Sequence, residues 1–219
     1  MSRLIVFAVL LAAIVFIGYQ ILNFLFAINS TKSQKRRDVA KLRESIAQQI
    51  ESLVALSKEE LELLSINQID TSTKLGINTV RTGVFTSIYQ EPLVAYARKS
   101  YGQSGTELLT LVHTRDQSFV YESSGPKTRV SVDGQQIGTI HSDGNLYDMK
   151  DRQVAHIEAD DVLSTHPVKI GSREVGEIVN PMLANSPNPR AYTFLEPMDT
   201  DEQVLFMALT LLSLVEESV

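Results

Sequence analysis

Cysteine and tryptophan are missing from the 219 residues. Without cysteine there are no disulfides, no thiolate metal ligands and no thiol nucleophile. Chain breakers are missing from one region only. Gly18 is the sole glycine before residue 76, and all seven prolines follow residue 91. The first third therefore has the composition of uninterrupted helix, and the remainder that of strands and turns. Charge is also uneven. Residues 1–79 carry nine Lys/Arg and seven Asp/Glu, whereas residues 80–219 carry eleven and nineteen. An acidic domain is a poor partner for nucleic acid and is repelled by anionic lipid headgroups.

Against these absences stands one long apolar run. Leu4–Ile28, LIVFAVLLAAIVFIGYQILNFLFAI, holds 25 residues without a charge. A helix needs about 20 such residues to cross about 30 Å of hydrocarbon. A cleaved signal peptide has a shorter apolar core and a small-residue cleavage site, and this run fits neither. Residues 1–30 are thus expected to be a transmembrane anchor contacting the bilayer through residues 4–28. Lys32, Lys35, Arg36 and Arg37 follow it, with Lys41 and Arg43 behind, against Arg3 in front. The positive-inside rule then makes this a single-pass protein with its C-terminal domain in the cytoplasm.

Residues 31–79 read as a helical stalk and linker. Val39, Leu42, Ile46, Ile50, Leu53 and Leu56 recur at helical spacing. This stripe through 38–56 is open to self-association as a short coiled coil, or to packing on the domain or a neighbouring membrane protein; under three heptads favours packing. Ser57 with Glu60 resembles a capping box, where one helix stops and a short one starts. SINQIDTSTKLGINT, beginning at Ser65, is polar and reads as linker.

Residues 80–219 read as strands. Three phrases, VSVDGQQIGTI, LYDMKDRQVAHI and VKIGSREVGEI, each hold a strand, a polar turn and a strand ending in Ile/Val, Gly/Ala, any residue, Ile. Asp133-Gly134, Lys150-Asp151 and Gly171-Ser172 are hairpin chemistry. On a period of two, Gly138, Ala155 and Gly176 share a face with the final Ile of each phrase and leave room for something bulky. The run VLFMALTLLSLV, Val204–Val215, supplies it. Twelve residues flanked by carboxylates are too short for a bilayer, and a helix apolar on every side must be enclosed by protein. The expected fold is α+β: a transmembrane helix and stalk, then a closed antiparallel β-barrel around a central C-terminal helix with Leu205, Leu209 and Leu212 in its core.

These phrases, with VKIGSREVGEIVNPM and the terminal DTDEQVLFMALTLLSLVEE, resemble the tubby C-terminal-like superfamily, which includes phospholipid scramblases and LURP-one-related proteins. The resemblance covers roughly residues 83–217 and implies a barrel threaded by its last helix. It departs from the family in lacking both a cysteine-rich acylation segment and the basic phosphoinositide cluster of tubby proteins.

Chemistry is sparse. His113, His141, His156 and His166 have no partner at metal spacing, and no G-x-S-x-G elbow, P-loop or GxGxxG occurs. Glu158, Asp160 and Asp161, and the series Asp143, Asn145, Asp148 and Asp151, read better as loops and turns than as Ca²⁺ ligands. No catalytic residue, cofactor or metal is assigned. Met182, Leu183 and Tyr192, in the Pro- and Asn-rich stretch 179–197, are the candidate partner contacts. The expected function is an accessory or scaffold subunit of a membrane protein complex, the alternative a lipid-binding or scramblase-like protein.

Overall fold

The structure is a computed structural model that describes residues 16, 32–74, 79–101, 107–158, 162–184 and 186–217. The expected anchor, apart from Phe16, lies outside the described residues. Among the described residues no helix is long and apolar enough to cross a membrane.

Twelve strands follow one another around a single antiparallel sheet in sequence order. They are β1 Leu64–Lys74, β2 Val80–Ser87, β3 Pro92–Tyr101, β4 Glu107–His113, β5 Ser118–Ser124, β6 Lys127–Val132, β7 Gln135–His141, β8 Asn145–Asp148, β9 Gln153–Ile157, β10 Thr165–Ile170, β11 Arg173–Val179 and β12 Tyr192–Leu195. The three phrases are the hairpins β6–β7, β8–β9 and β10–β11. Asp133 and Gly134 both take positive φ, +49° and +83°, the backbone of a two-residue hairpin turn whose twist suits the strands it joins.

The sheet curls until its ends meet, giving a nearly closed barrel. Ser65 of β1 pairs with Arg190, Ile66 N donates to Pro189 O at 3.2 Å, and Ala191 N donates to Leu64 O at 2.6 Å. Residues 65–74 of the stretch read as linker are therefore strand, and the barrel sheet begins at Leu64. Its polar residues do not solvate a tether. Ser65 Oγ donates to Asn188 Oδ1 (2.7 Å), and Asn67 Nδ2 donates to Pro187 O (3.0 Å), so polar side chains fasten the seam where backbone pairing is sparse.

Among the residues described from 32 on, four α-helices accompany the sheet: α1 Lys32–Ser45, α2 Ala47–Ser52, α3 Lys58–Glu62 and α4 Thr200–Glu217. Leu53 turns extended (φ −65°, ψ 137°), and Ser57 restarts the helix by accepting from Glu60 N at 3.3 Å. Asp199 and Glu202 cap α4 reciprocally, each side chain accepting from the other's backbone N at 2.9 and 3.1 Å. Arg173 in the β10–β11 hairpin binds Glu202 at 2.5 Å and ties that cap to the barrel.

Inside the barrel, α4 is buried from Phe206 through Leu212 and again at Leu214 and Val215. Leu209 and Leu212 belong to this core, while Leu205 is partly buried and packs against it. Two tyrosines grip the helix. Tyr121 of β5 donates to Ala208 O at 2.9 Å. Thr210 Oγ1 gives its hydrogen to Phe206 O at 2.9 Å, so Tyr192 of β12 is the donor in the 2.9 Å contact with Thr210. Gly138, Ala155 and Gly176 face inward with Ile140, Ile157 and Ile178. At Gly176 a Cβ would sit 3.2 Å from the Phe206 ring of the helix, and 2.9 Å from both Leu195 and Phe194 O of the neighbouring strand. At Gly138 the obstacle would be the neighbouring strand, Tyr147 O at 2.1 Å.

A second core lies on the outside. Leu42, Ile46 and Leu53 pack on Val84, Ala95, Ala97, Tyr101, Leu109 and Leu111. Val39 to Leu53 of the stripe considered for self-association through 38–56 thus pack on the barrel's own outer face, where β2 to β5 offer Val84, Ala95, Leu109 and Val120, while Leu56 packs against the interior cluster. One buried charge pins it. Asp38 accepts from Lys99 Nζ and Tyr101 OH, both at 2.8 Å. Burial alone would raise the Asp38 carboxyl, but the hydrogen bonds from Lys99 and Tyr101 outweigh it and hold the group below the ordinary carboxylate range.

Candidate functional site

One concavity follows from how the seam is built. β11 leads into a turn of 3-10 helix at Pro181–Leu183, capped by Asn180, whose Oδ1 accepts from Met182 N at 3.0 Å. Asn180 also holds the β9–β10 connection: its backbone N donates to Ser164 O (2.9 Å) and its Nδ2 to Leu163 O (3.2 Å). The chain then climbs beside β1, where Asn188 Nδ2 donates to Ile88 O at 2.7 Å. Between these segments a groove of about 780 Å³ opens, walled by Ile88, Val179, Leu183 and Pro189 and edged by Ser164, Thr165, Ser186, Asn188, Arg190 and Thr193. It combines an apolar wall, hydroxyl and amide groups and one exposed guanidinium, and none of its lining residues is acidic. That chemistry suits an extended peptide segment bearing a carboxylate.

The residues singled out from the sequence divide here. Leu183 lines the groove, and Met182 stands beside it at 89% exposure. Tyr192 also lines the groove, but it is not the exposed side chain that its loop suggested. At 2% exposure it belongs to the barrel core, its ring 5.1 Å from that of Phe206, and burial raises its hydroxyl above the ordinary tyrosine value despite the hydrogen bond to Thr210. Of the basic cluster, Arg36 and Arg37 are exposed on α1 and Lys32 begins that helix. Lys35 instead turns to the barrel, 3.9 Å from Glu107 and 3.7 Å from Glu122.

The turn carboxylates are occupied by backbone. Asp148 accepts from Arg152 N (3.0 Å), Lys150 N (2.8 Å) and Arg152 Nε (2.8 Å), and these bonds, led by the Arg152 backbone, bring its carboxyl down to about 2. Asp143 accepts from Asn145 N at 3.2 Å. Asp160 and Asp161 lie outside the described residues. Among the described residues no group of three His, Asp or Glu is placed to hold a metal ion. His141 stacks on Tyr147 at 4.6 Å, and His156 Nδ1 is buried without a hydrogen-bond partner.

Sequence reading missed an arginine pair. Arg81 and Arg98 are register partners on β2 and β3, on the same face as Phe85, Tyr96 and Val94, which belong to the interior core. Burial pushes the Arg98 guanidinium below its ordinary value, with the field of Glu216 acting against that shift. The last turn of α4 has no basic residue of its own. The strands supply positive charge for its carbonyl end. The signal was present in VRTGVF, where Arg81, Gly83 and Phe85 fall on one face.

No family model, no curated protein and no solved structure matches the chain.

Proposed function

We propose that this chain is a single-pass membrane protein whose barrel, of tubby C-terminal-like type, is a cytoplasmic binding domain serving as an accessory or scaffold subunit of a membrane protein complex. The observation carrying the reading is the seam groove, with Arg190 on its edge and Leu183 in its wall. Two further features support it. The barrel interior is occupied by α4, so a ligand of any size must bind on the surface. The charge-free stretch 4–28 gives the domain a high local concentration along a bilayer. The domain is read as a binding module and not as an enzyme, because no nucleophile, base and oxyanion donor converge among the described residues.

The test is co-purification of the full chain in mild detergent, wild type beside Leu183→Asp and Arg190→Glu. Both positions are at the surface, so thermal melting should be unchanged. Expected is a defined partner retained by wild type and lost from both variants. The same partner held equally by all three, or a chain that always emerges alone, overturns the reading. Accelerated lipid exchange between leaflets of protein-containing vesicles would instead favour lipid handling.

A further inference from the structure

In an up-and-down meander alternate connections lie at the same end. The β3–β4, β5–β6, β7–β8, β9–β10 and β11–β12 connections therefore share one end of this barrel. It is also the end where α4 finishes, since Leu212 and Glu216 face Pro126 and His141 across a hollow of about 320 Å³. The chain comes into the domain there too. Lys35 sits against Glu107, the first residue of β4, whereas Arg43, two turns on, donates to Ser118 Oγ at 3.2 Å at the opposite end. Lys32 is four steps along the chain from Ile28, and a chain gains at most about 3.6 Å per step. The last residue of the apolar stretch 4–28 is thus confined to within about 14 Å of the first residue of α1.

Two connections at this end carry large apolar side chains in the open. Val162 and Leu163 precede β10, Met182 follows β11, and their exposures are 84%, 48% and 89%. The Asn180 hydrogen bonds to Leu163 and Ser164 hold the two connections side by side, so the three side chains form one patch. Val162, Leu163 and Met182 are not among the residues that line the groove. The nearby charges are few and of both signs: Glu158 is neutralised by Lys169 at 2.5 Å, Asp143 lies in the adjoining turn, and Arg190 is exposed in the β11–β12 connection.

We infer that Val162, Leu163 and Met182 seat the barrel end-on in the interfacial layer of the same bilayer that holds residues 4–28, so that the seam groove opens at the membrane surface. The inference rests on the anchor reading above. Seating is apolar, as for an interfacial segment burying side chains at the headgroup boundary, and zwitterionic lipid suffices.

Absence of native cysteine makes the test direct. Single variants Val162→Cys, Met182→Cys, Met149→Cys and Ala13→Cys of the full chain carry an environment-sensitive fluorophore and are reconstituted into phosphatidylcholine vesicles with or without brominated acyl chains. Met149 is exposed in the β8–β9 turn at the far end. Expected is quenching at 13, 162 and 182 and none at 149. Quenching at 13 without quenching at 162 and 182 overturns the docking and leaves the anchor standing. No quenching at 13 removes the anchor reading and the docking with it. Equal quenching at 149 and 182, or quenching at 182 that requires anionic lipid, also overturns end-on apolar seating.

Discussion

α4 and α1 are packed by the same sheet, one from inside and one from outside, and they solve different problems. α4 is apolar around its whole circumference, and its buried polar contacts are two tyrosine hydroxyls reaching it from β5 and β12. α1 is amphipathic, offers one stripe to β2 to β5, and is pinned by a single buried carboxylate. A helix enclosed on every side has no alternative state short of unfolding the strands around it. A helix resting on an outer face can leave and let the barrel persist. The difference is between an element that defines the core and one that covers it.

Placing one charge in each core separates them. Leu209→Asp buries a carboxylate where nothing can pair with it, costing several kcal/mol or more, most of the roughly 5–15 kcal/mol of a typical domain. We expect no cooperative thermal transition by circular dichroism. Ile46→Asp carries the same chemistry, but its loss is capped by the free energy of docking α1, because the helix can swing into water. Here the expectation is fast amide exchange in α1 with slow exchange kept in the strands. Loss of strand protection would break the comparison.

Smaller changes sharpen it. Asp38→Ala removes the acceptor of Lys99 and Tyr101, and hydrogen bonds to charged groups are worth about 1.5–3 kcal/mol. The carboxyl is held below its ordinary value in the native state, so its contribution is full above the unfolded value of about 3.9 and fades as pH falls through the native one. The denaturant midpoints of wild type and variant should differ at pH 7 and draw together as the pH falls below the ordinary carboxylate range. Tyr121→Phe should cost least, about 0.5–1.5 kcal/mol, since the Ala208 carbonyl keeps its place in the helix ladder; a midpoint shift in urea measures it.

What the sequence made legible follows the same division. α4 was readable because twelve uncharged residues between carboxylates exclude both a bilayer and an aqueous surface. The hairpins β6 to β11 were readable from period-two alternation and from Asp133-Gly134. β1 was not. Ser65, Asn67 and Gln68 look like tether residues until their partners are known: Asn188, Pro187 and Tyr96, the last donating to Gln68 Oε1 at 2.8 Å. Those partners are distant in sequence, and no local pattern encodes them. Tyr192 was misjudged for the converse reason. Its neighbours Asn, Pro and Arg signal a surface loop, while its own ring belongs to the barrel. The seam groove was hidden with both, because it exists only once β1 and the stretch before β12 meet; Leu183 was reached through its loop, and Arg190 was not reached at all.

The order of elements along the chain has a consequence for biosynthesis. All twelve strands precede the helix that fills them, and the seam joins Ser65 to Arg190 across 125 positions of sequence. Ribosomes extend chains at about 5–20 residues per second, so the strands spend many seconds in existence before their filling is made. During that interval the sheet must wait with its apolar inner face uncovered. The barrel's core is therefore completed only by the last element to be made.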